Sequence, residues 1–239
     1  MIAVTVIPVL KDNYAYLIRS SDGVTAVVDP GDAGPVIKAL EREGLTLDYI
    51  LNTHHHGDHT AGNKDLKTRY GAIVLAPGAE RDRIASSDQG LKDGELFMLG
   101  KDEMRCIETP GHTAGALCYY FPESKTLFTG DTLFLMGCGR LFEGTPAQMY
   151  DSLSKIAALP DDTLIYCGHE YTLDLLDFCL TVEPDNPKLA ERKAHEIKKR
   201  KQGEPTVPAS LALEKQTNVF LRAKTLEQFT EYRRLMNDF

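Results

Sequence analysis

Thr53-His54-His55-His56-Gly57-Asp58-His59 is the stretch whose reading decides the fold, and it holds four of the chain's seven histidines. Histidine and aspartate are both good ligands for zinc-like cations. In the pattern H-x-H-x-D-H, ligands two and three positions apart come off one tight turn and can address two metals. An exposed polar loop with accidental histidines would stand alone. Here, matching single ligands recur downstream. Each follows a short apolar run that reads as a buried strand. Ile50-Leu51 leads into the histidine run, Met104–Ile107 into Thr109-Pro110-Gly111-His112, Leu127–Thr129 into Gly130-Asp131, and Leu164–Cys167 into Gly168-His169. Four strands ending in ligands at the same end place every ligand along one sheet edge, where α/β proteins build their sites. The glycines before His112, Asp131 and His169 suit tight turns.

The remaining pattern predicts strands at 4–9, 14–18, 26–28, 49–51, 73–75, 105–107, 117–121, 126–128 and 164–166, and helices at 35–43, 61–70 and 146–158. Strand pairs mixed with helical crossovers indicate an α/β fold with a mixed sheet. After residue 171 the pattern becomes helical, at 174–182, 188–201 and 226–236, broken by the loop Gly203–Pro208. A boundary is therefore expected there, with residues 1–170 as one domain and 171–239 as a small all-helical one.

Composition narrows the function class. The apolar fraction of 42% and the charged fraction of 26% are ordinary for a globular protein. A net charge of −8 argues against nucleic acid as the main partner. The basic run Arg192–Lys201 reads as the solvated face of a helix, with His195 on the surface. No apolar stretch is long enough to span a membrane. The five cysteines are odd in number and lack C-x-x-C spacing, which fits a reducing cytoplasm. The start, Met1–Pro8, reads as a strand with no basic leader, so no signal peptide is expected. A cysteine nucleophile, Cys138 or Cys167 with His169, has no motif resembling a nucleophile elbow to support it.

The chain resembles the metallo-β-lactamase superfamily and, within it, the glyoxalase II (hydroxyacylglutathione hydrolase) family. The carrying motifs are Asp12-Asn13-Tyr14, Val28-Asp29-Pro30-Gly31, the run 53–63, Thr109–Thr113, Gly130–Phe134, Gly137–Thr145, Cys167–Thr172 and Val182–Asn186. The ligand motifs mark the superfamily; Gly137–Thr145 and Gly168–Thr172 are more specific to glyoxalase II. The resemblance implies a four-layer αββα sandwich with a C-terminal helical domain that holds the thiol half of the substrate. By the same resemblance, His54, His56 and His112 bind one metal and Asp58, His59 and His169 the other, with Asp131 bridging. The cations would be two zinc ions, with iron or manganese acceptable to the same donors.

Such a pair makes water a nucleophile at neutral pH, for attack on a thioester carbonyl. Asp58 and Asp131 are then the catalytic carboxylates, and a leaving thiolate needs no strong general acid. The implied substrate is a glutathione thioester, S-D-lactoylglutathione, the enzyme acting as a monomer. His55 alternates away from the ligands and reads as a packing or hydrogen-bonding residue. Asp29 is the candidate anchor of a ligand histidine. Arg140, Phe142, Tyr171 and Arg233 are the implied substrate contacts. Two departures concern the thiol: Phe142 stands where tyrosine is common, and Met236 where a lysine is expected three residues after Arg233. Other readings remain open on this scaffold: a lactonase, a β-lactamase, a one-iron persulfide dioxygenase, or a non-catalytic metal- or thiol-binding module.

Overall fold

A computed structural model describes all 239 residues. Its first sheet runs in the order β1 (Ala3–Val9), β2 (Asn13–Arg19), β3 (Thr25–Val28), β4 (Tyr49–Leu51), β5 (Ile73–Pro77) and β6 (Gln89–Leu91), antiparallel at first and parallel from β3 onward. The second sheet begins with β7 (Leu96–Leu99), β8 (Asp102–Glu108), β9 (Leu117–Phe121) and β10 (Thr126–Gly130), joined as an antiparallel meander. A small hairpin, β11 (Leu133–Phe134) with β12 (Gly137–Cys138), follows. β13 (Leu164–Cys167) then returns parallel to β10, and β14 (Ala209–Ser210) closes that edge.

The two sheets pack face to face because their strands are apolar on both faces, as buried α/β strands must be. In β2 the alternation is explicit. Tyr14, Tyr16 and Ile18 enter the core between the sheets, while Ala15 and Leu17 face a separate outer cluster. That outer cluster is closed by α1 (Ala33–Glu43), through Val36 and Leu40, and by Leu66 on α3 (Asn63–Tyr70). Asp32 caps α1 by accepting from the Gly34 amide, which is why the helix starts at Ala33, two residues before the expected position. Between β4 and α3, the ligand run itself forms a single helical turn, α2 (Gly57–Thr60).

On the far side, α4 (Pro146–Ala157) opens on a capping box between Thr145 and Gln148. It packs with α8 (Val219–Arg222) and α9 (Leu226–Asp238). The other C-terminal helices are α5 (Thr172–Val182), α6 (Pro187–Lys201) and α7 (Leu211–Thr217). The four-layer arrangement implied by the resemblance is therefore present, with a helical C-terminal region.

Two details differ from the sequence reading. Residues 171–239 are not free of strand: Ala209 pairs with Ile165 and Ser210 with Leu164, capping the exposed edge of β13. A two-residue strand carries no periodicity, so it has no sequence signal. The apolar core continues across residue 171. Phe178, Phe220 and Phe229 belong to the same apolar cluster as Phe128 and Tyr166 of the second sheet. Strands β6 and β7 also lie outside the predicted set: Gln89-Gly90-Leu91 has no alternation to read, and β7 is an edge strand with Leu96 and Met98 exposed.

Because the core is continuous, thermal unfolding is expected to be one transition that includes the C-terminal helices. Phe229 is fully buried against Tyr150 and Phe220. Phe229→Ala should cost about 3–5 kcal/mol in urea unfolding followed at fixed metal content, without splitting the transition. A separate early transition of the C-terminal helices would contradict a shared core.

Candidate metal centre

β4 ends in the histidine run, while the parallel strands β8, β10 and β13 of the second sheet lead into His112, Asp131 and His169. All the predicted ligands thus gather at one end of the sandwich, but along the junction of two sheets and not one sheet edge. Two groups form. The ring nitrogens of His54, His56 and His112 face one another, His56 Nδ1 lying 3.1 Å from His54 Nε2 and 3.0 Å from His112 Nε2. The second group is Asp58, His59 and His169, with His59 Nε2 3.3 Å from His169 Nε2 and 3.5 Å from Asp58 Oδ2. Asp131 lies between them: its Oδ2 is 3.4 Å from His112 Nε2 and 3.3 Å from His169 Nε2, and its Oδ1 is 3.4 Å from His59 Nε2.

Two glycines make this convergence possible. Gly130 adopts φ +48°, and a Cβ there would meet Thr53 Oγ1 at 2.2 Å. Gly168 is needed for space and not for a left-handed turn: a Cβ would lie 2.2 Å from Asp131 Oδ1.

The outward nitrogens of four histidines are already committed. The Arg140 carbonyl can only accept, so His112 Nδ1, 2.8 Å away, carries the proton. His59 Nδ1 donates to Asp29 at 3.1 Å and His169 Nδ1 to Asp12 at 3.0 Å. The Thr53 hydroxyl donates to Asp29 at 2.6 Å, which leaves its oxygen to accept from His54 Nδ1 at 3.0 Å. Each of the four therefore turns Nε2 inward, and His56 contributes Nδ1. Fixing ligand tautomers in this way is what carboxylate and carbonyl partners of metal-binding histidines do.

This donor set fits divalent cations. Asp131 Oδ1 is buried with no hydrogen-bond partner, an expensive state for a carboxylate left alone. The electrostatics point the same way. Burial pushes His54 well below its usual range, assisted by the neighbouring His59 charge. Burial also works against charging His59, but the carboxylates of Asp131 and Asp29 outweigh it and raise the group well above normal. His169 is likewise disfavoured as a cation by burial, yet hydrogen bonds to Asp131 and Asp58 carry it up to about 10. Burial opposes ionisation of Asp131 too, and the imidazoliums of His59 and His169 overcome it. The second group thus draws positive charge into itself, and a divalent cation would displace those protons.

The other predicted residues fall around this centre. His55 turns away from the ligands: its backbone N–H donates to Glu80 at 2.8 Å, its Nδ1 lies 2.8 Å from the same carboxylate, and its Nε2 is 3.6 Å from Glu143. His195 is exposed on α6. Tyr171 stacks on the His169 ring, with centroids 4.6 Å apart and planes 8° from parallel. Phe142 is 63% exposed and presents its edge near His56 and His112. A cavity of about 470 Å³ opens over the ligands, and Arg140, Phe142, Tyr171, Arg233 and Met236 all line it. Arg233 is nonetheless 3% exposed, with Nη1 donating to the Cys138 carbonyl at 2.9 Å and Nη2 to Asn237 at 2.9 Å.

Three contributors have no assigned role in the sequence reading. Asp12 holds His169, Asn13 donates to Asp58 Oδ2 at 2.8 Å, and Glu80 holds the backbone of the histidine run. Asp12-Asn13-Tyr14 was visible as a motif, but its partners lie more than 40 residues away in sequence. Glu80 had no motif to mark it.

Residues 10–169 match the metallo-β-lactamase superfamily, and residues 170–238 match the hydroxyacylglutathione hydrolase C-terminus. A hydroxyacylglutathione hydrolase of Brucella ovis is 50% identical over 213 residues, covering 89% of this chain and 83% of its own length. Among solved structures, ETHE1 from Myxococcus xanthus superposes with a TM-score of 0.75 at 25% identity, covering 99% of this chain and 91% of its own. The BLEG-1 B3 metallo-β-lactamase does so at 0.72 and 24% identity, covering 92% and 99%. The fold and site define a member of the metallo-β-lactamase superfamily, and within it the chain belongs to the hydroxyacylglutathione hydrolase, or glyoxalase II, family.

Asp29 accepts from the Thr53 amide at 2.7 Å, from the Thr53 hydroxyl and from His59. Asp29→Asn is expected to weaken zinc binding by about 10–100-fold, read by competition with a chromogenic chelator. Unchanged affinity would mean that His59 is oriented without it.

Proposed function

We propose that this chain hydrolyses S-(2-hydroxyacyl)glutathione thioesters with two divalent cations, converting S-D-lactoylglutathione and water to D-lactate and glutathione. The observation that carries the reading is the Asp131 carboxylate, held between two complete donor groups at the floor of a cavity. Membership in the hydroxyacylglutathione hydrolase family supports thioester chemistry over the other reactions of this scaffold. The proposed ligands are His54, His56 and His112 for one cation and Asp58, His59 and His169 for the other, with Asp131 shared. Zinc is the metal proposed, since this donor set suits it well.

Bound there, the cations would polarise the thioester carbonyl and make water nucleophilic at neutral pH. The chain's own residues supply the geometry. Asp58, fixed through Oδ2 by Asn13, keeps 42% of its side chain accessible and orients the attacking water. Tyr171, stacked on His169, forms an aromatic wall beside the reacting carbonyl. Arg140 is an exposed cation at the cavity, suited to a carboxylate of the thiol carrier, and Phe142 offers it apolar contact. In this proposal residues 1–170 form the catalytic domain and residues 171–239 the substrate-binding one. The reading includes a monomer working in the reducing cytoplasm, in keeping with cysteines that are all unpaired. No helix is long and apolar enough to cross a membrane.

Protein purified without chelator should carry about two metals per chain, and Asp131→Ala should lose both metal and rate. S-lactoylglutathione should be hydrolysed far faster than a cephalosporin or an acyl-homoserine lactone, with thiol release followed directly and abolished by chelator. A reversed ranking at matched concentrations would remove the thioesterase reading, and a metal content fixed at one would favour a dioxygenase.

Met236 lines the cavity with an apolar side chain. A lysine there would add a partly exposed ion pair worth up to about 1 kcal/mol, roughly fivefold in affinity. Far from the reacting carbonyl, it would act alike on ground and transition states. Met236→Lys should therefore lower KM a few-fold with kcat unchanged, and the gain should shrink as salt rises. A KM that does not move would place the carboxylate elsewhere.

A further inference from the structure

The two loops that carry the first ligand group have few backbone amides held by backbone. Of the amides of His54, His55 and His56, only that of His55 has a protein partner, the Glu80 carboxylate at 2.8 Å. Between His112 and Ala116, the amides with a protein partner are those of Ala114 and Gly115. Ala114 donates to Glu143 Oε2 at 2.9 Å and Gly115 to Glu80 Oε1 at 2.8 Å. Both loops are thus fastened by carboxylates that lie outside the proposed ligand set.

Glu80 is the partner they share. It follows β5 of the first sheet and precedes a single 3₁₀ turn, Arg81–Arg83. The residue is 2% exposed, and its carboxylate takes three donors: the His55 amide and His55 Nδ1 on Oε2, and the Gly115 amide on Oε1. Hydrogen bonds to an ionised acceptor are stronger than neutral ones. The loops also sit close together, since a Cβ on Gly115 would meet Ala79 Cβ at 2.7 Å and Glu80 Cγ at 2.9 Å. The His55 ring completes the bridge. Its Nε2 faces Glu143 Oε1 at 3.6 Å, and Glu143 is anchored in turn by Arg83 at 2.7 Å. With a donor on each of the four carboxylate oxygens, this cluster is a brace and not a third cation site.

We infer that Glu80, assisted by His55 and Glu143, is a positioning residue for the first cation group: it ties the loop bearing His54 and His56, from the first sheet, to the loop bearing His112, from the second. His55 lies between two ligands in sequence, so a shift of its amide carries both. Gly115 is three residues past the third. The second group is oriented by other carboxylates, Asp12 on His169 and Asp29 on His59. The brace therefore acts on one cation and not on the other. Groups that orient metal ligands change metal affinity by about 10–100-fold when removed.

The brace presupposes two cations, so the zinc content of the unaltered protein is measured first. One zinc per chain there overturns the two-cation reading and the brace with it. Two zinc ions, with variants that depart from the behaviour below, overturn the brace alone. Glu80→Gln keeps the size of the side chain but turns an N–H₂ group toward N–H donors. Titrated with zinc against a chromogenic chelator, it should lose at least about tenfold in affinity for one zinc and keep the other. In S-lactoylglutathione hydrolysis, kcat should fall at limiting zinc and recover in excess zinc, with KM within about twofold of the parent. Asp12→Asn, which loosens His169, should weaken the other zinc, so the double variant should bind both weakly. A double variant that still holds one zinc as tightly as the parent would put both effects on one cation and overturn the inference. A lowered Tm with both zinc affinities intact would overturn it as well, leaving a purely structural role. If Glu80→Gln does not fold, Glu143→Gln decides, because that side chain is 25% exposed. It should weaken one zinc by a few-fold, and unchanged affinity for both would refute the brace.

Discussion

Everything at this centre depends on putting one carboxylate, Asp131, out of water and beside the imidazoles of His59, His112 and His169. Only 8% of the residue remains exposed, and its Oδ1 has no hydrogen-bond donor. A buried carboxylate is tolerated when opposite charge surrounds it. The histidines of the second group meet that demand by taking up protons, as the raised His59 and His169 show. The local backbone follows from the same demand. Gly130 turns left-handed and has no room for a Cβ against Thr53, and Gly168 must lack a side chain so that His59 and Asp131 can approach.

The ligands themselves are oriented by groups spread across the chain. Asp12 comes from the turn before β2, Asp29 from the end of β3, and the Arg140 carbonyl from beyond β12. Thr53, a neighbour of the ligands, relays the Asp29 carboxylate to His54 through its hydroxyl. Each link fixes a proton on the far side of a ring and so directs a lone pair inward. Of these links, Asp12 to His169 runs from the first sheet to the second.

The cavity above the centre has a different character. Its cationic side chain open to solvent is Arg140, while Arg233 is buried and Met236 is neutral. Positive charge at the mouth is therefore sparse, and much of the lining is aromatic or aliphatic, from Phe134, Phe142, Tyr171 and Leu175. The cavity thus offers mainly apolar area, with one exposed guanidinium at its mouth.

How far the sequence could be read follows from the range of each interaction. The histidine run, the single ligands after apolar strands and the glycines beside them are local patterns, and the predicted ligands do meet at one end of the sandwich. Strands with continuous apolar runs and helices with caps were legible for the same reason: their signal lies within a few residues of itself. The motif Asp12-Asn13-Tyr14 was visible but had no role until β2 brought it against His169 and Asp58. Glu80 and the two-residue strand at Ala209 were silent, since a lone carboxylate and a short edge carry no period. The C-terminal helices could be read, but not that they share the core of the second sheet or hold the β11–β12 hairpin. Sequence alone determined which side chains can bind metal, because ligand chemistry belongs to the residue. Only the tertiary structure decided which nitrogen each histidine presents and what Arg233 touches, because both depend on partners that come near only when the chain is folded.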